Sequence, residues 1–295
     1  MDTIQHSRHI SPLSSPSQST VVRERQKGEY HLEFHPDELA RLAAQHEVFL
    51  EHMGVLCVAP INLHRPRLRI LDSGTADGRW LHDLRESLPS YSHEYVGTDS
   101  VKKMFPRDSP NEISFHLQRA DDAWPPSWQE SFDYVHQRLV IPGCDYSPAA
   151  TTIRRLCGLV KPGGWIELIE QDHNAPNPGG LAKSEELLRQ IFTLSGTGYD
   201  YPKGLKSWLE EAGMCDIEEQ IIDVPVGASN LNLKSAQKSI WQISSALEGF
   251  LPMARALPLT IAREELDDLP KHTARELARI GGHQRLYVVY GRRPV

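Results

Sequence analysis

The chain carries no block of lysine or arginine, no CxxC pair and no apolar run long enough to span a bilayer. Its 32 Lys and Arg against 39 Asp and Glu leave a net charge of −7, which excludes the basic footprint that nucleic acid or an anionic membrane surface requires. Only four cysteines occur in 295 residues, at 57, 144, 157 and 215, too far apart for a disulfide framework. Free thiols in a reducing compartment are expected. The opening MDTIQHSRHISPLSSPSQST lacks the apolar centre of a secretory signal, so the expected location is cytoplasmic. His6/His9 and His31/His35 have spacing that a metal could exploit but bring no third ligand, so no metal is expected. A small molecule remains as the partner.

What is present is an alternation of strands and helices. Residues 1–25, rich in Ser, Pro and Gln, read as a disordered tail, and 26–60 as a helical cover whose apolar positions (Leu39, Leu42, His46, Phe49, Leu50, Met53) recur at helical spacing over 36–53. Residues 61–295 read as one domain. LRIL (68–71), YVG (95–97), ISFHL (113–117), FDYVH (132–136) and WIELIE (165–170) are strands. A helix follows the first of them, and another starts at Ser147-Pro148, where serine can cap and proline suits the first turn, and stops at KPGG (161–164). Helix 205–213, strand 217–224, helical segments 233–250 and 261–269 and a final strand 286–291 complete the pattern. The interval of about 228–282 is long for a plain connection and reads as a helical lid or an oligomerisation element, compatible with a homodimer. The fold class is α/β, a mostly parallel sheet covered on both faces, which binds ligands at the carboxyl ends of its strands.

RILDSGTADGRW (69–80) places Gly74 and Gly78 between a strand and a helix, a cradle of free amides for a polar ligand group. Its spacing is neither that of a dinucleotide turn nor that of a phosphate loop. Asp99, ending the next strand, can accept both hydroxyls of a ribose. Together these favour a nucleoside cofactor without a pyrophosphate.

ILDSGTADG, VGTD ending at Asp99, SFDYVHQRLVIPG (131–143), LVKPGGWIELIE (159–170) and the terminal VVYGRRP resemble the class I S-adenosylmethionine-dependent methyltransferases, in particular the fungal secondary-metabolism branch of LaeA-like proteins and epidithiodioxopiperazine-cluster N-methyltransferases. The resemblance covers about residues 36–294. It implies a Rossmann-like seven-stranded sheet with the last strand antiparallel, S-adenosyl-L-methionine as cofactor and S-adenosyl-L-homocysteine as product. The implied cofactor set is Asp72, Gly74, Thr75, Gly78, Asp99, Ser100, Asp121, Asp122 and Gln137. His136 and Arg138 are the catalytic candidates, His136 first because an imidazole titrates near neutrality. The implied reaction is methyl transfer to N, O or S of a small secondary metabolite, aromatic or peptide-derived; the alternative is a cofactor-binding auxiliary protein without transfer.

Two positions depart from the family pattern. Ala76 stands where a glycine is usual, with Asp77 beside it, and is expected to keep a negative φ. Arg119 stands where an acid is common, which leaves the adenine contact to Asp121 or Asp122. Glu170, Asp172 and His173, after the fifth strand, could orient a substrate amine or hydroxyl. Tyr199, Tyr201, Trp208, Trp241 and Phe250 supply aromatic cover over the crevice, and Gln45 and His46 lie on the N-terminal cover.

Overall fold

The computed structural model describes residues 36–144 and 147–295. The expected tail at 1–25, the start of the cover and both histidine pairs lie outside the described residues.

Helix α1 (Pro36–Met53) matches the apolar spacing read for it, with Val48 and Phe49 fully buried. Strand β1 (Arg69–Ser73) then leads to helix α2 (Arg79–Ser87), strand β2 (Glu94–Asp99), strand β3 (Ile113–Leu117) and strand β4 (Phe132–Arg138). Helix α3 (Ala149–Leu159), strand β5 (Val160–Asp172), helix α4 (Gly179–Ser195), helix α5 (Leu205–Glu211) and strand β6 (Cys215–Val226) follow. Helices α6 (Leu233–Ala256) and α7 (Arg263–Ile280) fill the interval before strand β7 (Gly282–Arg292).

The seven strands form one sheet in the order β3-β2-β1-β4-β5-β7-β6. The first five run parallel, and β7 lies antiparallel between β5 and β6. Central strands are apolar on both sides because helices cover both: Leu71, Val135, Ile166 and Leu168 pack with α3, α4, α5, α6 and α7, while Ile70, Tyr95 and Tyr134 pack with Trp80, Leu81 and Leu84 of α2. Val48 and Phe49 of α1 cover Ile169, Leu286 and Val288 on the α2 side. Each fully buried aliphatic contributes about 1.5–3 kcal/mol, so this two-faced burial is the main cohesive term.

Four expectations about the elements need correction. KPGG does not merely stop α3; it lies within β5 as a bulge, where the register with β4 shifts and Gly163 takes φ 77°. Ser147 does not cap α3 but donates to the Asp121 carbonyl at 3.1 Å, and Pro148 occupies the cap position. Helices α6 and α7 run past the expected ends, through Pro252 and Pro270. Helix α4 was not expected at all.

The turn after β1 is folded against the end of β2. The Gly74 and Thr75 amides both donate to the Thr98 carbonyl at 2.8 Å. Gly74 sits at φ 75°, and a Cβ there would meet Val140 Cγ2 at 2.2 Å, so no other residue fits. Ala76, expected at negative φ, is left-handed at 51°. That conformation costs an L-residue about 1–2 kcal/mol, and it is held because the Ala76 amide donates to Asp99 Oδ2 at 3.0 Å.

Strand β5 staples a loop on each side of the sheet. Glu167 Oε2 accepts the Val58 and Ala59 amides at 2.8 and 2.6 Å. Three residues on, and therefore on the opposite face, Glu170 Oε1 accepts the Val140 and Ile141 amides, both at 3.0 Å. Burial pushes the Glu170 carboxyl up to about 8, against the downward pull of those two amides.

Two outcomes are expected. The folded state retains the Glu170 proton to a higher pH than the unfolded chain, so this group's stabilisation is complete below its unfolded value near 4.5 and is lost as pH rises through about 8. Glu170→Gln should remove that part of the decline, measured as Tm between acid and alkaline buffers. Ala76→Gly relieves the left-handed strain at a smaller cost in unfolded-chain entropy, and melting should show a gain of up to about 1 kcal/mol.

Candidate active site

Strand β1 pairs with β2 on one side and β4 on the other, so the chain's crossovers diverge at its carboxyl end and leave a crevice there. A cavity of about 270 Å³ occupies it, lined by the ends of β1, β2, β4 and β5 and by residues of α1, α4 and α6. Of the residues nominated from sequence, Asp72, Gly74, Thr75, Asp99, Ser100, Asp121, His136 and Arg138 line this one cavity.

Asp99 is buried and its carboxylate is divided between two backbone amides: Oδ2 accepts from Ala76 at 3.0 Å and Oδ1 from Val101 at 2.9 Å. Each oxygen keeps a further lone pair. Burial raises its pKa while these bonds lower it. Beside it the Thr75 hydroxyl is enclosed without a partner. An acceptor carboxylate with spare lone pairs and the glycine-only approach at Gly74 fit the ribose and amino-acid ends of an adenosyl cofactor.

Three nominated residues do not line the cavity. Gln137 faces away and accepts from the Ser73 hydroxyl at 3.1 Å. Gly78 ends the turn at φ 75°, where a side chain would strike Phe115 at 2.5 Å. Asp122 is exposed. Asp121 does line the cavity, but Arg119 grips its carboxylate at 3.0 and 3.3 Å and also donates to the Gly143 carbonyl at 3.2 Å. Arg119 therefore neutralises the acid that the sequence nominated and ties it to the loop after β4. Asp77 lines the cavity and accepts from the Arg79 amide at 3.2 Å, its carboxyl raised by burial.

At the mouth of β4, register places His136 beside Asp72. His136 Nδ1 meets Asp72 Oδ1 at 2.8 Å, and the ring stacks on Trp80 with centroids 4.0 Å apart. Its Nε2 is enclosed by protein with no partner. The imidazole nominated as base thus turns inward and braces Asp72 instead of offering a lone pair to the cavity. Arg138 braces as well: one guanidinium nitrogen donates to His46 Nδ1 at 2.9 Å, and His46 Nε2 bonds Asp83 at 2.8 Å. Burial, then the nearby Arg138 charge, lowers His46 to about 4. A neutral ring accepting at Nδ1 and donating at Nε2 is the only form that satisfies both bonds.

Beyond β4 the cavity widens under α4 and α6. Phe192, Tyr201, Leu247 and Phe250 supply apolar walls, and Gln171, His173, Ser184, Glu185, Gln242 and Gln284 are buried polar groups among them. Of the expected rings, Tyr201 and Phe250 line the cavity; Tyr199, Trp208 and Trp241 do not. Glu185, Leu188 and Phe192 were missed with α4, although their spacing of three and four is a helical signal. No group of His, Cys, Asp and Glu that could hold a metal occurs among the described residues, and no helix among them is long and apolar enough to cross a membrane.

A family described as Methyltransferase domain matches residues 30–229. The N-methyltransferase sirN of Leptosphaeria maculans is 35% identical over 282 residues, covering 90% of this chain and 95% of the relative. The N-methyltransferase gliN of Aspergillus fumigatus is 33% identical over 284 residues, covering 93% and 100%. In fold, the chain is similar to Haemonchus contortus phosphoethanolamine N-methyltransferase 2 in complex with S-adenosyl-L-methionine, at TM-score 0.51 and 15% identity, covering 87% of this chain and 57% of that one. With the adenosyl-compatible crevice at the switch point and these matches over most of its length, the chain belongs to the class I S-adenosylmethionine-dependent methyltransferases, in the branch of the fungal N-methyltransferases sirN and gliN.

Proposed function

We propose that the protein methylates a nitrogen of a small, peptide-derived secondary metabolite. The observation that carries this reading is the single cavity with two unlike halves: a hydrogen-bonding end at Asp99 and an aromatic end with buried acceptors under α4 and α6. Nitrogen as the acceptor atom is supported by the names of the relatives, sirN and gliN.

When bound, S-adenosylmethionine supplies a methyl group on a positively charged sulfur. The protein has to hold donor and acceptor in line and exclude water, since alignment alone removes much of the barrier to a bimolecular transfer. Asp99 would accept the ribose hydroxyls. The turn from Gly74 to Ala76 would receive the amino-acid end, with Asp72 kept in place by His136 and Arg138 serving as a strut between β4 and the covering helix α1. Helices α1 and α6, packed on each other, would close the cavity from above. Tyr201, Phe192 and Phe250 would receive a planar or aromatic acceptor.

Two measurements test this reading. Calorimetry with S-adenosylhomocysteine should give an affinity weakened at least about tenfold, or ~1.4 kcal/mol, in Asp99→Ala; an unchanged affinity removes Asp99 from the site. Incubation with methyl-labelled cofactor and a panel of cyclic dipeptides, amines, phenols and thiols should give mass-shifted product at nitrogen. Binding of the cofactor with no product from any acceptor would instead identify a binding protein without transfer activity.

A further inference from the structure

A second histidine–carboxylate pair lies in the acceptor half of the cavity. His173 Nδ1 bonds Glu185 Oε2, and the ring stands edge-on to Phe192 with centroids 5.3 Å apart. The other Glu185 oxygen accepts from Gln171 Nε2 at 3.1 Å. Gln171 Oε1 accepts from Gln284 Nε2, and Gln284 Oε1 from Gln242 Nε2, each at 2.9 Å. Four elements, β5, α4, β7 and α6, thus contribute to one buried chain in which every amide donates toward the Glu185 carboxylate. All five side chains line the cavity.

The chain fixes the state of the imidazole. A carboxylate accepts but does not donate, so the hydrogen of a neutral His173 ring sits on Nδ1 and the lone pair on Nε2. Nε2 of His173 makes no hydrogen bond and is not among the enclosed unpartnered atoms, whereas Nε2 of His136 is. Three imidazoles line the cavity, and with both His46 nitrogens bonded and His136 Nε2 enclosed, only His173 offers a basic nitrogen to a ligand. It follows β5, the neighbour of β4 in the sheet, and so lies on the acceptor side of the switch point.

We propose that His173 is the catalytic base for a secondary amide N–H acceptor, with Glu185 as the positioning residue that holds its tautomer; this rests on the reading of the cavity as a nitrogen-methylation site. The chemistry calls for such a base. An amine attacks through its own lone pair, but an amide nitrogen has its pair delocalised into the carbonyl and must lose its proton as it reacts. The acceptor N–H bond breaks and its proton passes to His173 Nε2. The nitrogen forms its bond to the methyl carbon as the carbon–sulfur bond of the cofactor breaks, and the sulfur leaves as a neutral thioether. The resulting imidazolium faces the Glu185 carboxylate and then releases its proton to solvent.

The test uses the full chain with cyclic dipeptides as amide probes and the corresponding primary amines as controls. His173→Asn keeps a donor for Glu185 and removes the basic nitrogen. It should lower turnover of the amide by at least about 100-fold, lower that of the amine, which can also lose its proton to solvent, far less, and leave affinity for S-adenosylhomocysteine unchanged. Nitrogen-15 NMR of the imidazoles, assigned by loss of the signal in His173→Asn, should show Nδ1 protonated and Nε2 bare in the resting protein. Glu185→Gln should shift that tautomer, a readout that a purely structural role does not predict. Undiminished amide turnover in His173→Asn, or a protonated Nε2, overturns the proposal while leaving the transferase intact. Wild-type protein that binds cofactor and methylates the amines but not the amides overturns the acceptor class. Absence of cofactor binding overturns the underlying functional reading itself, and the NMR result still decides the tautomer.

Discussion

Everything at the crevice depends on how the backbone leaves β1. Two successive amides, Gly74 and Thr75, share the Thr98 carbonyl, and the third, Ala76, reaches the Asp99 carboxylate. This converts the end of β2 into a template for the turn. Shape follows from it: with the amides drawn toward β2, the chain must bend through left-handed conformations at Gly74, Ala76 and Gly78, and the loop after β4 closes against Gly74. One carboxylate therefore holds the site's architecture and presents its remaining lone pairs to the cavity. A glycine at 76 would make the bend easier, but the hydrogen bond to Asp99 is strong enough to hold alanine in it, since a bond to a charged acceptor is worth about 1.5–3 kcal/mol and the strain about 1–2 kcal/mol.

The second theme is the use of buried acids as backbone clamps. Glu167, Glu170 and Asp99 each take two main-chain amides, and each fastens a segment that lies outside the regular ladder. In a low-dielectric interior an unpaired carboxylate is costly and a fully bonded one is rigid. Asp72, Asp121 and Glu185 are gripped instead by a side chain: an imidazole, a guanidinium, and an imidazole with an amide. The cavity walls are thus polar yet committed. Specificity for a ligand comes from the few groups whose bonding is incomplete.

How much of this was legible in the sequence differs by element. Strand ISFHL and helix Pro36–Met53 were found at their observed limits because their periodicity is strong and their ends are marked by turn residues. The sheet, its antiparallel last strand and the crevice followed from the order of strands and helices and from the family resemblance. Helix α4 was missed because Pro178-Gly179-Gly180 reads as a loop. The structure explains the second glycine: a Cβ on Gly180 would lie 2.8 Å from Thr273 Cα, so it is there to let α4 approach α7 closely. KPGG misled in the opposite way, since a bulge inside a strand looks like a turn in sequence. At the site, eight of the eleven nominated residues line the cavity. What sequence could not convey was orientation. Stacking on Trp80 turns His136 inward, and Arg119 reaches back to Asp121, and both depend on contacts made only after the sheet has assembled.

The fastening of α1 is uneven. The helix is joined to β4 by Arg138 and an uncharged imidazole, not by two opposite charges. Separating a buried ion pair would cost about 3–5 kcal/mol, while releasing a hydrogen bond to a neutral ring costs about 1.5–3 kcal/mol. That polar link is thus the weaker part of the roof's attachment, the stronger being Val48 and Phe49, buried with Ile169, Leu286 and Val288.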